Sequence, residues 1–159
     1  MEEKTIAAEK GALGEMWPVI AEVFAKGGTF PIYPHGVSML PLLRPGEDGV
    51  LLAPAPQKLK KYDIALYVRD NGAFVLHRVV RARKDSYDMI GDNQVRIERG
   101  VRPDQIRAVA TGRYRGGVFE PFDSPALRSY GRRRLFFLPI RSFFVRGKGK
   151  LCRIFRKSK

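Results

Sequence analysis

This chain predicts a mainly β (α+β) domain, led by one helix and followed by a basic extension. Three observations carry that expectation. Apolar residues near the start recur at three- and four-residue steps, the period of a helix face. From residue 29 onward the apolar runs are short, rich in Val, Ile, Leu and Tyr, and bounded by turn residues, as strands are. From residue 128 the chain turns strongly basic and loses the β pattern.

The helix is expected over residues 3–26, with Leu13, Met16, Trp17, Ile20, Val23 and Phe24 on its apolar face. Gly27-Gly28 ends it. Pro18 interrupts the pattern, so a kink or a late start near Glu15 is expected. Six β runs follow: Thr29–Tyr33, Gly49–Ala53, Ile64–Val68, Ala73–Arg83, Ser86–Ile90 and Ile106–Tyr114. Asn71-Gly72 is a hairpin turn signal between the third and fourth. Other turns fall at Arg44-Pro45-Gly46-Glu47 and Arg99-Gly100. A linker is expected near Pro121, where Phe122-Asp123-Ser124-Pro125 breaks the pattern. The expected division is residues 1–28, 29–120 and 121–159. There is no internal repeat.

Composition narrows the function classes. A chain of 159 residues is long enough to bury a real core. Its single cysteine, Cys152, can form neither an internal disulfide nor a zinc set. No metal and no cofactor is expected. No segment reaches the roughly 20 apolar residues that span a bilayer. The opening Met1-Glu2-Glu3-Lys4 lacks the basic-then-apolar order of a secretory signal. A cytoplasmic protein, peripheral on a membrane surface at most, is the expectation.

The net charge is +14, but residues 128–159 carry twelve Lys and Arg and no acid. Residues 1–127 hold 18 basic and 16 acidic residues and are almost neutral. The basic stretch also contains Leu135, Phe136, Phe137, Leu138, Ile140, Phe143, Phe144, Val145, Leu151, Ile154 and Phe155. Basic residues mixed with Phe and Leu suit an anionic membrane surface. Packing on the domain is the competing expectation. Nucleic acid is the least favoured partner, although phosphates would meet the same charges.

Three sites carry chemistry. Ser38 lies in Gly36-Val37-Ser38-Met39-Leu40-Pro41. His77 lies in Leu76-His77-Arg78-Val79, flanked on its own strand face by Val75 and Val79, which would desolvate it. Asp92 lies in Gly91-Asp92-Asn93. Serine, histidine and carboxylate are the parts that make a hydroxyl nucleophilic at neutral pH. Taken singly, each has an ordinary role: Ser38 as a turn or capping residue, Asp92 as an Asx-turn residue. His35 reads as a loop residue and Asp63 as a structural hydrogen-bonding residue.

The flanking residues add specificity. Gly-Val-Ser-Met-Leu-Pro around Ser38 resembles the nucleophile box of type I signal peptidases. Lys61-Tyr62-Asp63-Ile64-Ala65-Leu66-Tyr67, Val75-Leu76-His77-Arg78-Val79-Val80 and Gly91-Asp92-Asn93-Gln94 resemble the family's next blocks, in the family's order. These blocks span about residues 30–112, roughly half the chain. His77 stands where bacterial signal peptidases and SOS repressors carry lysine. In this the chain is similar to the endoplasmic-reticulum, archaeal and sporulation-type enzymes. The resemblance implies a coiled, partly barrel-like β domain and a serine endopeptidase. It implies cleavage of a leader, signal or precursor peptide after a small residue. Ser38 would be the nucleophile and His77 the base. A histidine base needs a partner to fix its tautomer. Asp92 is the expected orienter and Glu98 the secondary acidic candidate.

Two departures from the family pattern matter. Gly36 replaces a Ser or Thr whose hydroxyl helps bind the oxyanion, so Ser38 N–H and the Gly36 backbone are left as the oxyanion site. Losing one such donor costs about 3–4 kcal/mol where it matters. Tyr62 replaces a Gly. Met39, Phe30 and Ile32 are expected to line a groove in which the peptide adds a strand. Two other functions are weighed. One is a non-catalytic peptide- or membrane-binding module of the same fold. The other is a self-cleaving transcriptional regulator, disfavoured because neither Ala-Gly nor Cys-Gly occurs.

Overall fold

The computed structural model describes residues 12–145. The first helix, α1, covers Ala12–Ala25 and runs through Pro18 without ending. The rest of the expected helix, before residue 12, lies outside the described residues. Gly27, at φ +76, closes the helix in the left-handed region that favours glycine.

Eight strands follow: β1 Phe30–Ile32, β2 Gly49–Pro54, β3 Ile64–Val68, β4 Phe74–Ala82, β5 Tyr87–Ile90, β6 Glu98–Val101, β7 Ile106–Arg115 and β8 Val118–Pro121. All pairings are antiparallel. The order is β1-β2-β7-β3-β4-β5-β6, with β8 also paired to β7, and the sheet is not closed. The six expected β runs are all strands, with ends shifted by a residue at most. The hairpin at Asn71-Gly72 forms, with Gly72 at φ +78.

Two strands and a helix were not expected. β6 has the sequence Glu-Arg-Gly-Val, which has no apolar alternation. β8 follows Gly116-Gly117, a two-residue turn with φ +57 and +81 that pairs Arg115 with Val118. That dipeptide is a strong hairpin signal. A second helix, α2, covers Pro125–Phe136 where a linker was expected. Ser124 and Pro125 form its start, with proline at the first position, where a missing N–H costs least. Its arginine-rich sequence hid it from a search for apolar stripes. Residues 138–145 are helical again.

The two-residue period of the strands builds two cores. Ile64, Leu66 and Leu76 face a layer formed by Leu13 and Ile20 of α1, together with Ile32, Met39, Leu42, Leu43, Val50 and Leu52. Leu127 and Tyr130 of α2 pack against this layer. Ala65 and Tyr67 face the other way, with Leu59, Val79, Tyr87, Met89 and Val101. β3 is therefore buried on both faces, and Ile-Ala-Leu-Tyr-Val reads as a continuous apolar run.

Candidate active site

Ser38 sits in a short 3-10 turn, Val37–Met39, which lies against β4. The loop that carries it is fixed by arginines of β7. Arg115 donates to the Leu42 carbonyl at 2.9 Å and to both oxygens of Asp48. Arg113 donates to the Leu42 carbonyl as well. Asp48 is fully buried and also accepts from the Arg44 backbone and guanidinium. Burial alone would raise its carboxyl. The hydrogen bonds from Arg115 and Arg44 overcome that and hold it below the usual carboxylate range.

On its other side the Ser38 turn docks on Gly91-Asp92-Asn93. The Asn93 N–H donates to the Ser38 carbonyl at 2.7 Å, and Asn93 Nδ2 donates to the Val37 carbonyl at 3.3 Å. The fit leaves no room at residue 91: a Cβ there would lie 2.6 Å from the Ser38 oxygen. Glycine is needed here for close approach. Gly36 is exposed, and a Cβ there would meet nothing within 4 Å. A side chain at residue 36 would therefore meet open space. The Ser38 side chain itself is half-buried.

His77 lies on β4, opposite Ala65 of β3, and is 2% exposed. Its Nδ1 is 3.1 Å from the Tyr67 hydroxyl. That hydroxyl donates to Glu98 Oε2 at 2.7 Å. Glu98 in turn holds Arg69, whose Nε and Nη2 reach it at 2.9 and 2.6 Å. The Arg69 hydrogen bonds, with that of Tyr67, lower the Glu98 carboxyl despite partial burial. An ionised carboxylate can only accept, so the single Tyr67 proton is committed to it. The Tyr67 oxygen must then accept from His77 Nδ1–H. This fixes the tautomer and leaves Nε2 unprotonated, the form a general base requires.

Burial is the main influence on the His77 ring and pushes its pKa down to about 4. Glu98 and Asp92 oppose the shift, and Arg69 adds to it. Among the described residues, no hydrogen bond joins Ser38 to His77.

Asp92 is placed differently from the expectation. Its two oxygens accept from Arg78 Nε and Nη2, both at 2.8 Å, so it does not hold the His77 ring. The reason is strand geometry: neighbours on a strand point to opposite faces. His77 faces Tyr67, and Arg78 faces the Asp92 turn. Arg78 also donates to the Tyr62 carbonyl at 3.1 Å and lies under the Tyr130 ring. Glu98, the secondary candidate, is the carboxylate connected to His77, through Tyr67. The sequence reading missed Tyr67, Arg69 and Arg78. The strand period could have placed Tyr67 beside His77, because each lies on the face of Val75 and Val79.

The groove candidates also need correction. Ile32 and Met39 are each 3% exposed and belong to the core. Phe30 is half-buried against the same core, because it shares a strand face with Ile32. What β1 offers a ligand is its backbone edge, since it pairs only with β2 among the described residues. A separate open cleft of about 700 Å³ runs beside Glu98 and Arg69, along residues 93–99 to Val145.

The basic extension completes the site. Arg134 of α2 and Arg141 both donate to the Asp92 carbonyl, at 2.7 and 3.0 Å. Gly131 lies so close to Arg78 that a Cβ would come within 2.8 Å of Nη1. No described helix is long and apolar enough to cross a membrane. Comparison with protein-family models, curated proteins and solved structures finds no match to this chain.

Proposed function

We propose that this chain is a serine endopeptidase of the signal peptidase type, with Ser38 as nucleophile and His77 as general base. The observation that carries the proposal is the Glu98–Tyr67–His77 chain, which leaves His77 Nε2 unprotonated on β4, the strand against which the Ser38 turn packs. Glu98 takes the orienting role through Tyr67, and Asp92 becomes a positioning residue for the Ser38 turn. Ser38 Oγ attacks the peptide carbonyl and passes its proton to His77 Nε2. The C–N bond breaks as His77 returns that proton to the leaving amine. Water, deprotonated by His77, then hydrolyses the acyl ester. The Ser38 N–H stabilises the oxyanion, and the open space at Gly36 receives the substrate backbone.

The substrate is a leader, signal or precursor peptide, cut after a small residue and held in extended form along the β1 edge. The enzyme works on the cytoplasmic side. A non-catalytic peptide-binding module is the second reading. It is favoured by the missing Ser38–His77 hydrogen bond and by Gly36, although such bonds often tighten only with substrate.

The test is cleavage of a pool of short peptides, read by mass spectrometry, with wild type, Ser38→Ala and His77→Ala. Cuts made by wild type alone establish the peptidase and give its specificity. Peptides retained by all three proteins without cuts would establish the binding module instead.

A further inference from the structure

The C-terminal part of the described chain has two unlike faces. The inner face is fully engaged: Leu138 is buried, and Arg134 and Arg141 are held on the Asp92 carbonyl. The outer face carries Phe136, Phe137, Ile140, Phe143 and Phe144, five large apolar side chains within nine residues, all exposed. Phe136 and Phe143 are about three-quarters exposed, at 75% and 74%. Because the inner contacts fix the segment, these side chains cannot turn inward without breaking the hold on Asp92. An exposed apolar patch rimmed by polar residues marks an interaction surface.

The charge around the patch selects the partner. Between residues 136 and 145 the only basic residue is Arg141, and it faces inward. Exposed Arg128, Arg132 and Arg133 lie on one side in sequence, and Arg146, Lys148 and Lys150 follow on the other. The last acidic residue before the end of the sequence is Asp123. An uncharged apolar stretch flanked in sequence by cations is the pattern of a segment lying in the headgroup region of an anionic bilayer. A phosphate-binding nucleic-acid face would place its guanidinia among the rings.

We infer that the outer face of residues 136–144 docks on an anionic phospholipid surface, with Phe143 and Phe144 entering the acyl boundary. This goes beyond the peptidase proposal and does not depend on it.

The full chain is sedimented with phosphatidylcholine vesicles, with and without about one-third phosphatidylglycerol. Binding to the anionic vesicles, at least tenfold weaker for a Phe143→Ala/Phe144→Ala double variant, is expected. Both residues are exposed, so the variant keeps its fold, checked by circular dichroism. Ser38→Ala should bind as wild type does, which separates this test from the peptidase test. In a second measurement, Phe143→Trp should shift its emission to the blue on anionic vesicles. Failure to sediment with anionic vesicles, or equal binding by the double variant, would overturn the inference. So would tighter binding to a single-stranded oligonucleotide, with no vesicle-induced shift at residue 143.

Discussion

Exchanging the two acidic candidates separates support from chemistry. Asp92 and Arg78 form a buried pair, with side chains 0% and 5% exposed. Asp92→Asn leaves a buried guanidinium without its counter-charge, which costs about 3–5 kcal/mol of stability. Glu98 and Arg69 are 30% and 41% exposed, so their pairing is screened. Glu98→Ala should cost no more than about 1 kcal/mol. The functional ranking is the reverse. Without Glu98 the Tyr67 proton is free to turn to His77 Nδ1, which stabilises the wrong tautomer. A wrong tautomer in a serine triad costs about 10⁴-fold in kcat, and a loss of about 10²–10³-fold is expected through an intervening hydroxyl. Urea unfolding gives the stabilities. Initial rates on the best peptide from the pool, corrected for the folded fraction, give kcat. A Glu98→Ala enzyme with unchanged kcat, beside a stable but inactive Asp92→Asn enzyme, would return the orienting role to Asp92.

Two further predictions follow from the same geometry. His77 is held at about pKa 4 against an ordinary value of 6.5, so the unfolded chain binds its proton more readily than the folded one. Its stabilising contribution is complete above about pH 6.5 and is lost as pH falls toward 4, up to about 3 kcal/mol in all. Urea midpoints from pH 7 to 4.5 should therefore fall more steeply for wild type than for His77→Phe. The acid limb of kcat/KM should lie well below 6.5; equal slopes for the two proteins and a limb at 6.5 would contradict the buried neutral ring. Gly91→Ala places a Cβ 2.6 Å from the Ser38 oxygen and must displace one backbone or the other. It should cost about 1–3 kcal/mol in urea and about 100-fold in kcat/KM, since a shift near 1 Å is enough for that loss.

Much of the β framework was legible because its strands alternate or run apolar between turn residues. β6 was not, since Glu98-Arg99-Gly100-Val101 belongs to a charged edge whose side chains serve Arg69 and Tyr67. β8 was signalled by Gly116-Gly117 but offered too few apolar residues to be weighed as a strand. α2 stayed hidden because its sequence is dominated by arginine, and its contacts are long-range: Leu127 and Tyr130 on the core, and Arg134 on a carbonyl 42 residues away along the chain. In the site, residue types and order pointed to Ser38 and His77, and the Gly91-Asp92-Asn93 block put Asp92 ahead of Glu98 as the carboxylate. Asp92 is 15 residues from His77 and Glu98 is 21. The opposite faces of His77 and Arg78 put Asp92 on Arg78, while Glu98 contacts Tyr67. Tyr62 is instructive as well. It holds φ +83, a conformation suited to the glycine that the resemblance expects there. Its carbonyl accepts from Arg78, which ties this unfavourable backbone to the same buried ion pair.

The Asp92 turn is where the fold and the site meet. Its carboxylate is held by β4 through Arg78, and its carbonyl by α2 and the following helical stretch through Arg134 and Arg141. The next residue, Asn93, holds the carbonyl of Ser38. The serine is thus placed relative to His77 by two routes that both begin on β4. One is the 3-10 turn packed directly against the strand. The other runs through Arg78, Asp92 and Asn93. The basic extension is a working part of the second route, because removing its arginines would leave the Asp92 carbonyl without those donors. The same segment presents the apolar outer face. Through Arg134 and Arg141 this segment also contacts the turn that holds the Ser38 carbonyl.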